Sequence, residues 1–184
     1  GTLVASATNP NTALSNSGFT FFTSLYIDKD SAISSTPNSW LGVKTLNAPD
    51  TRINHASIWT GTKMIIWGGR LYGDNTIVNT GSIYDPVTDT WNTMSPSSLS
   101  ARSGSTAVWS GTQMLIWGGA DLVGDPLNDG AAYNPSTNTW TLINAVNAPT
   151  ARTSHTAIWT GTEMVIWGGN TISGSTNTGS KYNI

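Results

Sequence analysis

The sequence predicts an all-β protein assembled from repeated four-stranded units, and three observations predict it. The first is a phrase that occurs three times, at residues 58–69, 108–119 and 158–169. Trp59, Trp109 and Trp159 are spaced by 50 residues, and so are Trp67, Trp117 and Trp167. A period of about that length marks a propeller or solenoid array rather than one ordinary core. The second is that each phrase reads as two strands joined by a Gly-centred turn. The third is that each full repeat then supplies two more strand-like stretches. Recurring residues in such an array are scaffold, so function is sought where the copies differ.

The elements of one repeat follow in order. Residues 56–60 alternate side chains and are rich in β-branched and aromatic types, which predicts a strand, here called a. Thr60-Gly61-Thr62 is a tight turn, because Gly accepts positive φ without a Cβ clash. Residues 63–67 are a nearly continuous apolar run, strand b, which predicts burial on both faces. Gly68-Gly69 ends that strand and permits close backbone approach or a bulge. Residues 81–84 form strand c. Residues 85–90 are a turn in which Pro86 presets φ and Asp85 can bond its own backbone. Residues 91–94 form strand d.

Loop lengths separate the two ends of the unit. The a–b turn has one length in all three copies. The b–c loop varies, at residues 70–78, 120–127 and 170–176, and so does the d–a connection, near 95–102 and 145–152. In an antiparallel four-stranded unit these two loops share an end. One end of the array is therefore uniform and the other variable, and loops on a rigid scaffold are where binding usually sits.

Four features recur together. They are the doublets Gly68-Gly69, Gly118-Gly119 and Gly168-Gly169; a Gly-x-x-Tyr element from Gly81 to Tyr84, Gly130 to Tyr133 and Gly179 to Tyr182; a Pro-containing turn from Tyr84 to Trp91 and from Tyr133 to Trp140; and Arg52, Arg102 and Arg152 ahead of each strand a. This combination resembles the kelch repeat, in the Trp-rich form of bacterial propeller proteins. The resemblance covers about residues 33–184 and implies a kelch-type β-propeller with four antiparallel strands per blade. It implies no single activity, since propellers host binding, scaffolding and catalysis alike. Some kelch propellers are copper oxidases with Tyr, His and a Cys-linked cofactor; with no Cys and two His in this chain, that activity does not carry over.

Counting strands gives three blades' worth, cut out of phase. A d strand is expected at 39–45, then blades near 52–95, 102–145 and 152–184, the last lacking its d strand. The N-terminal d strand is in phase to complete the C-terminal blade, within one chain or between chains. Two chains joined head to tail would give six blades, and the same contact left unclosed would give a filament. Residues 1–32 do not match the repeat and hold one strand-like stretch at 19–27. They read equally as a worn extra blade strand, a pairing arm, or the tail of an upstream domain. Phe19, Phe21 and Phe22 are expected to be covered.

Composition narrows the function. Charged residues make up 10% of 184, against roughly 25% in ordinary globular proteins, and the net charge is −2. No basic cluster invites nucleic acid, and no apolar run is long enough to span a membrane. The absence of Cys excludes a disulfide framework and a thiolate metal site. A neutral surface of Ser, Thr and Asn suits a secreted or cell-surface protein, and a start at Gly1 fits either a removed leader or an excised piece.

The candidate residues are weighed against the scaffold. The six phrase Trp residues, with Trp40, Trp91 and Trp140 opening the d strands, read as blade core; sugar stacking is reserved for a Trp found exposed. Arg52, Arg102 and Arg152 read as donors to backbone carbonyls or an acidic neighbour between blades rather than an anion ring, and the kelch resemblance implies that structural role. His55 and His155 share a repeat position where the middle copy has Ser105, which argues against a metal pair. Asp121 and Asp125 lack the ligand density of a calcium loop, so no cofactor is expected, with calcium the one alternative. No nucleophile elbow, phosphate loop or zinc motif is present, and no enzyme is expected. The expected function is a non-catalytic extracellular module acting in assembly or protein binding, its partner contacts in Arg70, Tyr72, Asp74, Asp121, Asp125 and Asn170. A glycan-binding or glycan-processing propeller, with Tyr72 the aromatic platform, and a fragment of a longer secreted kelch protein are the alternatives.

Overall fold

A sheet faced with apolar side chains on both sides cannot bury either face alone, and the computed structural model shows how this chain meets that demand. It describes residues 38–184; the strand-like stretch at 19–27 and the turn preceding Asn38 lie outside them. Residues 38–42 belong to a first unit, and Val43–Ile184 form a second. Every ordered element of the second unit is a strand.

Strands run in chain order as β1 (Arg52–Ile53), β2 (Ala56–Trp59), β3 (Met64–Trp67), β4 (Arg70–Leu71), β5 (Gly81–Asp85) and β6 (Thr90–Thr93). The second repeat supplies β7 (Thr106–Trp109), β8 (Met114–Trp117), β9 (Gly130–Asn134) and β10 (Thr139–Leu142). The third supplies β11 (Thr156–Trp159), β12 (Glu163–Trp167), β13 (Asn170–Thr171), β14 (Gly174–Ser175) and β15 (Gly179–Asn183). Three antiparallel meanders result: β2-β3-β5-β6, β7-β8-β9-β10 and β11-β12-β15. These are blades 1, 2 and 3, with strand a innermost and strands β2, β7 and β11 side by side. Strands a to d match the sequence expectation to within about a residue at each end.

Register assigns each side chain to a face. In blade 1, Ile58, Ile65 and Ile83 are cross-strand partners. With Trp67 they meet Met114, Ile116, Ala131 and Tyr133 of blade 2 in one closed cluster. On the other side of blade 2, Val108, Leu115 and Ala132 pair across the sheet. Together with Trp117 they meet Met164 and Ile166 of blade 3. Each blade thus has a forward face carrying the b-strand Trp and a backward face carrying Met and Tyr.

Two glycine positions explain themselves here. A Cβ on Gly130 would run into the Ile116 carbonyl and the Trp117 ring, so strand c can lie against strand b only without a side chain there. Gly69, Gly119 and Gly169 have φ of 96°, 97° and 90°, a region closed to most side chains.

Three features differ from the sequence reading. Residues 39–45 carry no strand among the described residues; there the Lys44 N–H donates to Asp89 Oδ1 and the Lys44 carbonyl accepts the Trp91 Nε1 proton. The b–c loops are not plain loops, since β1 pairs with β4 and β13 with β14. The phrase Trp residues are not uniformly buried. Trp67 and Trp117 are 1% and 2% exposed, but Trp167 is 59% exposed on the forward face of blade 3, which no described blade covers, and Trp59 is exposed on the backward face of blade 1.

Gly130→Ala is expected to destabilise the protein by about 1–3 kcal/mol through overpacking. Gly42→Ala, at a position with nothing within 4 Å and ordinary φ, should stay within about 0.5 kcal/mol. Urea unfolding of the two variants checks the contrast.

Candidate functional site

The variable loops meet at one end of the blades, and each carries its own internal bonding. Asp74 Oδ1 accepts the Thr76 N–H at 2.9 Å, and that bond holds its carboxyl below the usual range. Arg70 Nη1 donates to the Asn75 carbonyl. Asp121 Oδ1 accepts three successive N–H groups, from Val123, Gly124 and Asp125, at 2.9–3.0 Å. Asn170 Oδ1 accepts the Ser175 hydroxyl. These side chains fold their own loops; among the described residues no hydrogen bond joins the candidates of one loop to those of the next. Nor do three His, Asp or Glu side chains converge among the described residues.

What the loops hold outward is apolar. Tyr72, Leu122 and Ile172 are all well exposed, Tyr72 at 82%. They stand 50 residues apart, so they are one repeat position with three identities. Val123 adds a further exposed apolar group beside Leu122. Tyr72 was legible in the sequence as an aromatic; Leu122 and Ile172 were missed, although their spacing matches that of the Trp residues.

The motif arginines lie deeper. Arg102 Nε donates to the Ser100 carbonyl, and its Nη1 donates to the carbonyls of Gly118 and Asp129. Arg152 does the same with Thr150, Gly168 and Thr178, and Arg52 with Asp50, Gly68 and Thr80. Each guanidinium therefore ties the end of strand b to the start of strand c. In blade 2 alone the tie includes a carboxylate, with Arg102 Nη1 at 2.7 Å from Asp129 Oδ1. No anion ring forms, because every fork is already engaged within its own blade.

His155 sits in the joint between blades 2 and 3. Its ring meets Trp117 edge-on with centroids 5.4 Å apart. Its Nε2 is 2.7 Å from the Thr106 hydroxyl. Burial and the nearby Arg152 charge push its pKa down to about 4. His55, at the same repeat position in blade 1, is exposed.

A second kind of joint lies at the outer edge. Asn138 Oδ1 accepts both the Tyr133 hydroxyl and the Ser95 N–H, and Trp140 Nε1 donates to the Ser95 carbonyl. One step back, Asp89 Oδ1 accepts the Tyr84 hydroxyl and the Lys44 N–H, while Trp91 Nε1 donates to the Lys44 carbonyl. Asp89 and Asn138 both have positive φ, 51° and 54°, which aims the side chain back at the preceding segment. The bond to Asp89 raises the Tyr84 pKa to about 12.

Two clefts are found among the described residues, one against the d–a connection after blade 2 and one at the uniform end. One is lined by Trp117, Asn144, Met164 and Tyr182. The other opens between blades 1 and 2, on the uniform a–b and c–d turns, beside Lys63, Trp109 and Asn134.

Comparison with known families agrees with this geometry: the KLHDC2/KLHL20/DRC7 Kelch-repeats domain matches residues 43–184. The chain belongs to the kelch-repeat family. No curated protein matches it significantly. The kelch match covers all three blades and the segment entering them, and kelch repeats are protein-interaction modules, generally without catalysis.

Arg102→Met should cost about 2–4 kcal/mol, since it strands the Gly118 and Asp129 carbonyls and a carboxylate. Asp129→Asn should cost less, because the carbonyl acceptors remain. Denaturant midpoints of the two variants check the order. His155 binds fewer protons folded than unfolded between its folded value of about 4 and its ordinary 6.5. Its contribution is complete above pH 6.5 and is lost as pH falls toward 4. The lowered carboxyls of Asp74, Asp85 and Asp89 act only below about 3.8. Thermal melts from pH 7 to 4.5 should therefore show a falling midpoint that flattens in His155→Gln.

Proposed function

We propose that this kelch protein is a non-catalytic binding module, secreted or displayed at the cell surface, that contacts a partner protein through its variable loop end and assembles with copies of itself by strand exchange. The observation that carries the binding part is the exposed apolar position at Tyr72, Leu122 and Ile172. All three stand on the loop end of the blades, where the repeat is variable and binding residues usually sit. Aromatic and aliphatic anchors of this sort carry most of the energy at protein interfaces. The low charge and the Ser, Thr and Asn surface support the extracellular placement.

The test is a triple variant, Tyr72→Ser, Leu122→Ser and Ile172→Ser. It should melt at the wild-type temperature, because none of the three is packed. It should also fail to retain proteins that the immobilised wild-type chain retains from the native source's extracellular fraction. Equal retention by both would overturn the loop end as the contact surface.

The exposure of Tyr72 also favours a second reading, a glycan stacked on its ring. Titration with polysaccharides, followed by intrinsic fluorescence, should then give a response that Tyr72→Ala abolishes.

A further inference from the structure

Blades 1 and 2 are closely stitched at the loop end of their shared joint. There the Gly69 N–H donates to the Arg102 carbonyl at 2.8 Å, and the Gly104 N–H to the Asn54 carbonyl at 2.9 Å. At the a–b turns the backbone bonds stay inside each turn, with the Thr60 N–H on the Lys63 carbonyl and the Ser110 N–H on the Gln113 carbonyl. Between those turns the blades part, and the cleft there has a volume of about 710 Å³. Sites for small molecules run from roughly 300 to 1,000 Å³. Both walls belong to four-stranded blades.

Register sets what each wall offers. On the forward face of blade 1, Ile58, Ile65, Ile83 and Asn92 are partners in turn across four strands. The row is apolar until its last member, which is an exposed amide. On the backward face of blade 2 the row is Trp109, Met114, Tyr133 and Trp140. Met114 and Tyr133 are fully buried in the cluster shared with blade 1, whereas Trp109 is only partly buried where the row reaches the a–b turn. The cleft therefore has an apolar floor at Ile65, Ile83 and Tyr133 and the Trp109 ring at one side. Its rim is polar, with Asn92, Thr112, Asn134 and Ser136.

That rim has hydrogen-bonding capacity to spare. Asn134 Oδ1 accepts the Ser136 N–H at 2.9 Å, which leaves its NH₂ group to donate. The Asn92 amide and the Thr112 hydroxyl have no hydrogen-bond partner among the described residues. Lys63 is the one charged residue of the lining, and its Nζ lies 3.3 Å from Asp85 Oδ2 in the same blade. A charged ligand would give up water here with no unmatched charge to receive it. An amide NH₂ donates twice, and a hydroxyl both donates and accepts. Such a rim beside an aromatic ring matches a sugar, which has apolar C–H faces and hydroxyls round its edge. A peptide main chain fits less well. Both walls are sheet faces, which present side chains and not the row of N–H and C=O groups that strand addition uses.

We propose that this cleft binds a short neutral oligosaccharide. One ring packs on Trp109 above Ile83 and Tyr133, and its hydroxyls bond the Asn92 and Asn134 amides and the Thr112 hydroxyl. The site lies at the other end of the blades from Tyr72 and is independent of the loop-end contact.

The experiment is isothermal titration calorimetry of the 184-residue chain with cellotriose, maltotriose, xylotriose and N-acetylchitotriose. At least one should bind, at one site per chain. Asn92→Ala should weaken that binding about tenfold, the effect of losing one hydrogen bond. Thr112→Arg, which fills the cleft from its rim, should abolish it. Both side chains are exposed, so both variants should melt as the wild type does. Tyr72→Ala should bind the sugar unchanged. A wild type that binds none of the four overturns the proposal, as does binding that survives Thr112→Arg or is lost in Tyr72→Ala. A neutral hexapeptide of Ser, Thr and Asn is titrated in parallel and should give no heat. Heat from the peptide alone, abolished by Thr112→Arg, would overturn the sugar assignment.

Discussion

The structure depends on one constraint: a blade has two apolar faces and can bury neither against itself. Strand b shows it most plainly. Met114, Leu115, Ile116 and Trp117 are all buried, so successive side chains on opposite sides of one sheet both need cover. A sheet with one wet face would alternate polar and apolar residues there. Burial of apolar area is the main favourable term in folding, at roughly 25 cal/mol per Å², and here each blade collects it from its neighbours. Stability in such an array is close to a sum of unit and neighbour terms. Blade 2 has a described neighbour on each side, and Met114, Leu115, Ile116, Ala131 and Tyr133 in it are fully buried.

Because the joint is made of faces, the polar groups at its margins must be satisfied locally, and the motif does this with few residue types. Arg102 and Arg152 are buried, and each reaches three carbonyls from one planar fork, which a point-charge lysine could not do. The Gly-Gly doublet lets the main chain turn outward so that one N–H crosses to the next blade. The Tyr, Asp or Asn, and Trp at the outer edge close the other margin. The satisfaction is not complete: Trp67 Nε1 and His155 Nδ1 are buried without a hydrogen bond. The second of these goes with the neutral state of His155, since a charged ring would need a partner for both nitrogens.

Much of this was legible in the sequence, for a physical reason. Strand position and face are encoded by a period of two, and the blades by a period of about 50, so residues such as Ile65, Tyr133 and Met164 could be placed before any coordinates. The structural role of Arg102 was legible from the repeat resemblance, but its bonds to the Gly118 and Asp129 carbonyls and the Asp129 carboxylate lie within one blade and not between blades as expected. Exposure of Trp59 and Trp167 was not legible. Nothing in a repeated phrase tells an end copy from a middle one; the difference lies in what stands next to the blade. Residues 39–45 likewise have the pattern of a d strand, but pairing needs a neighbour that pattern alone cannot provide. The two-residue ladders of the b–c loops escaped because they are too short to show alternation.

The loop position at 72, 122 and 172 obeys a different rule from the rest of the repeat. At the phrase positions inside a joint, such as Trp67, Trp117, Met114 and Met164, the neighbouring blade fixes side-chain volume. At the loop tip no neighbour presses on the side chain, and identity is free to drift among Tyr, Leu and Ile. Yet polarity has not drifted, although water surrounds the site and the chain elsewhere fills its surface with Ser, Thr and Asn. Packing within the blades does not select side-chain volume there, since all three side chains are well exposed. The loop tip thus lies outside the face-to-face constraint that fixes the rest of the repeat.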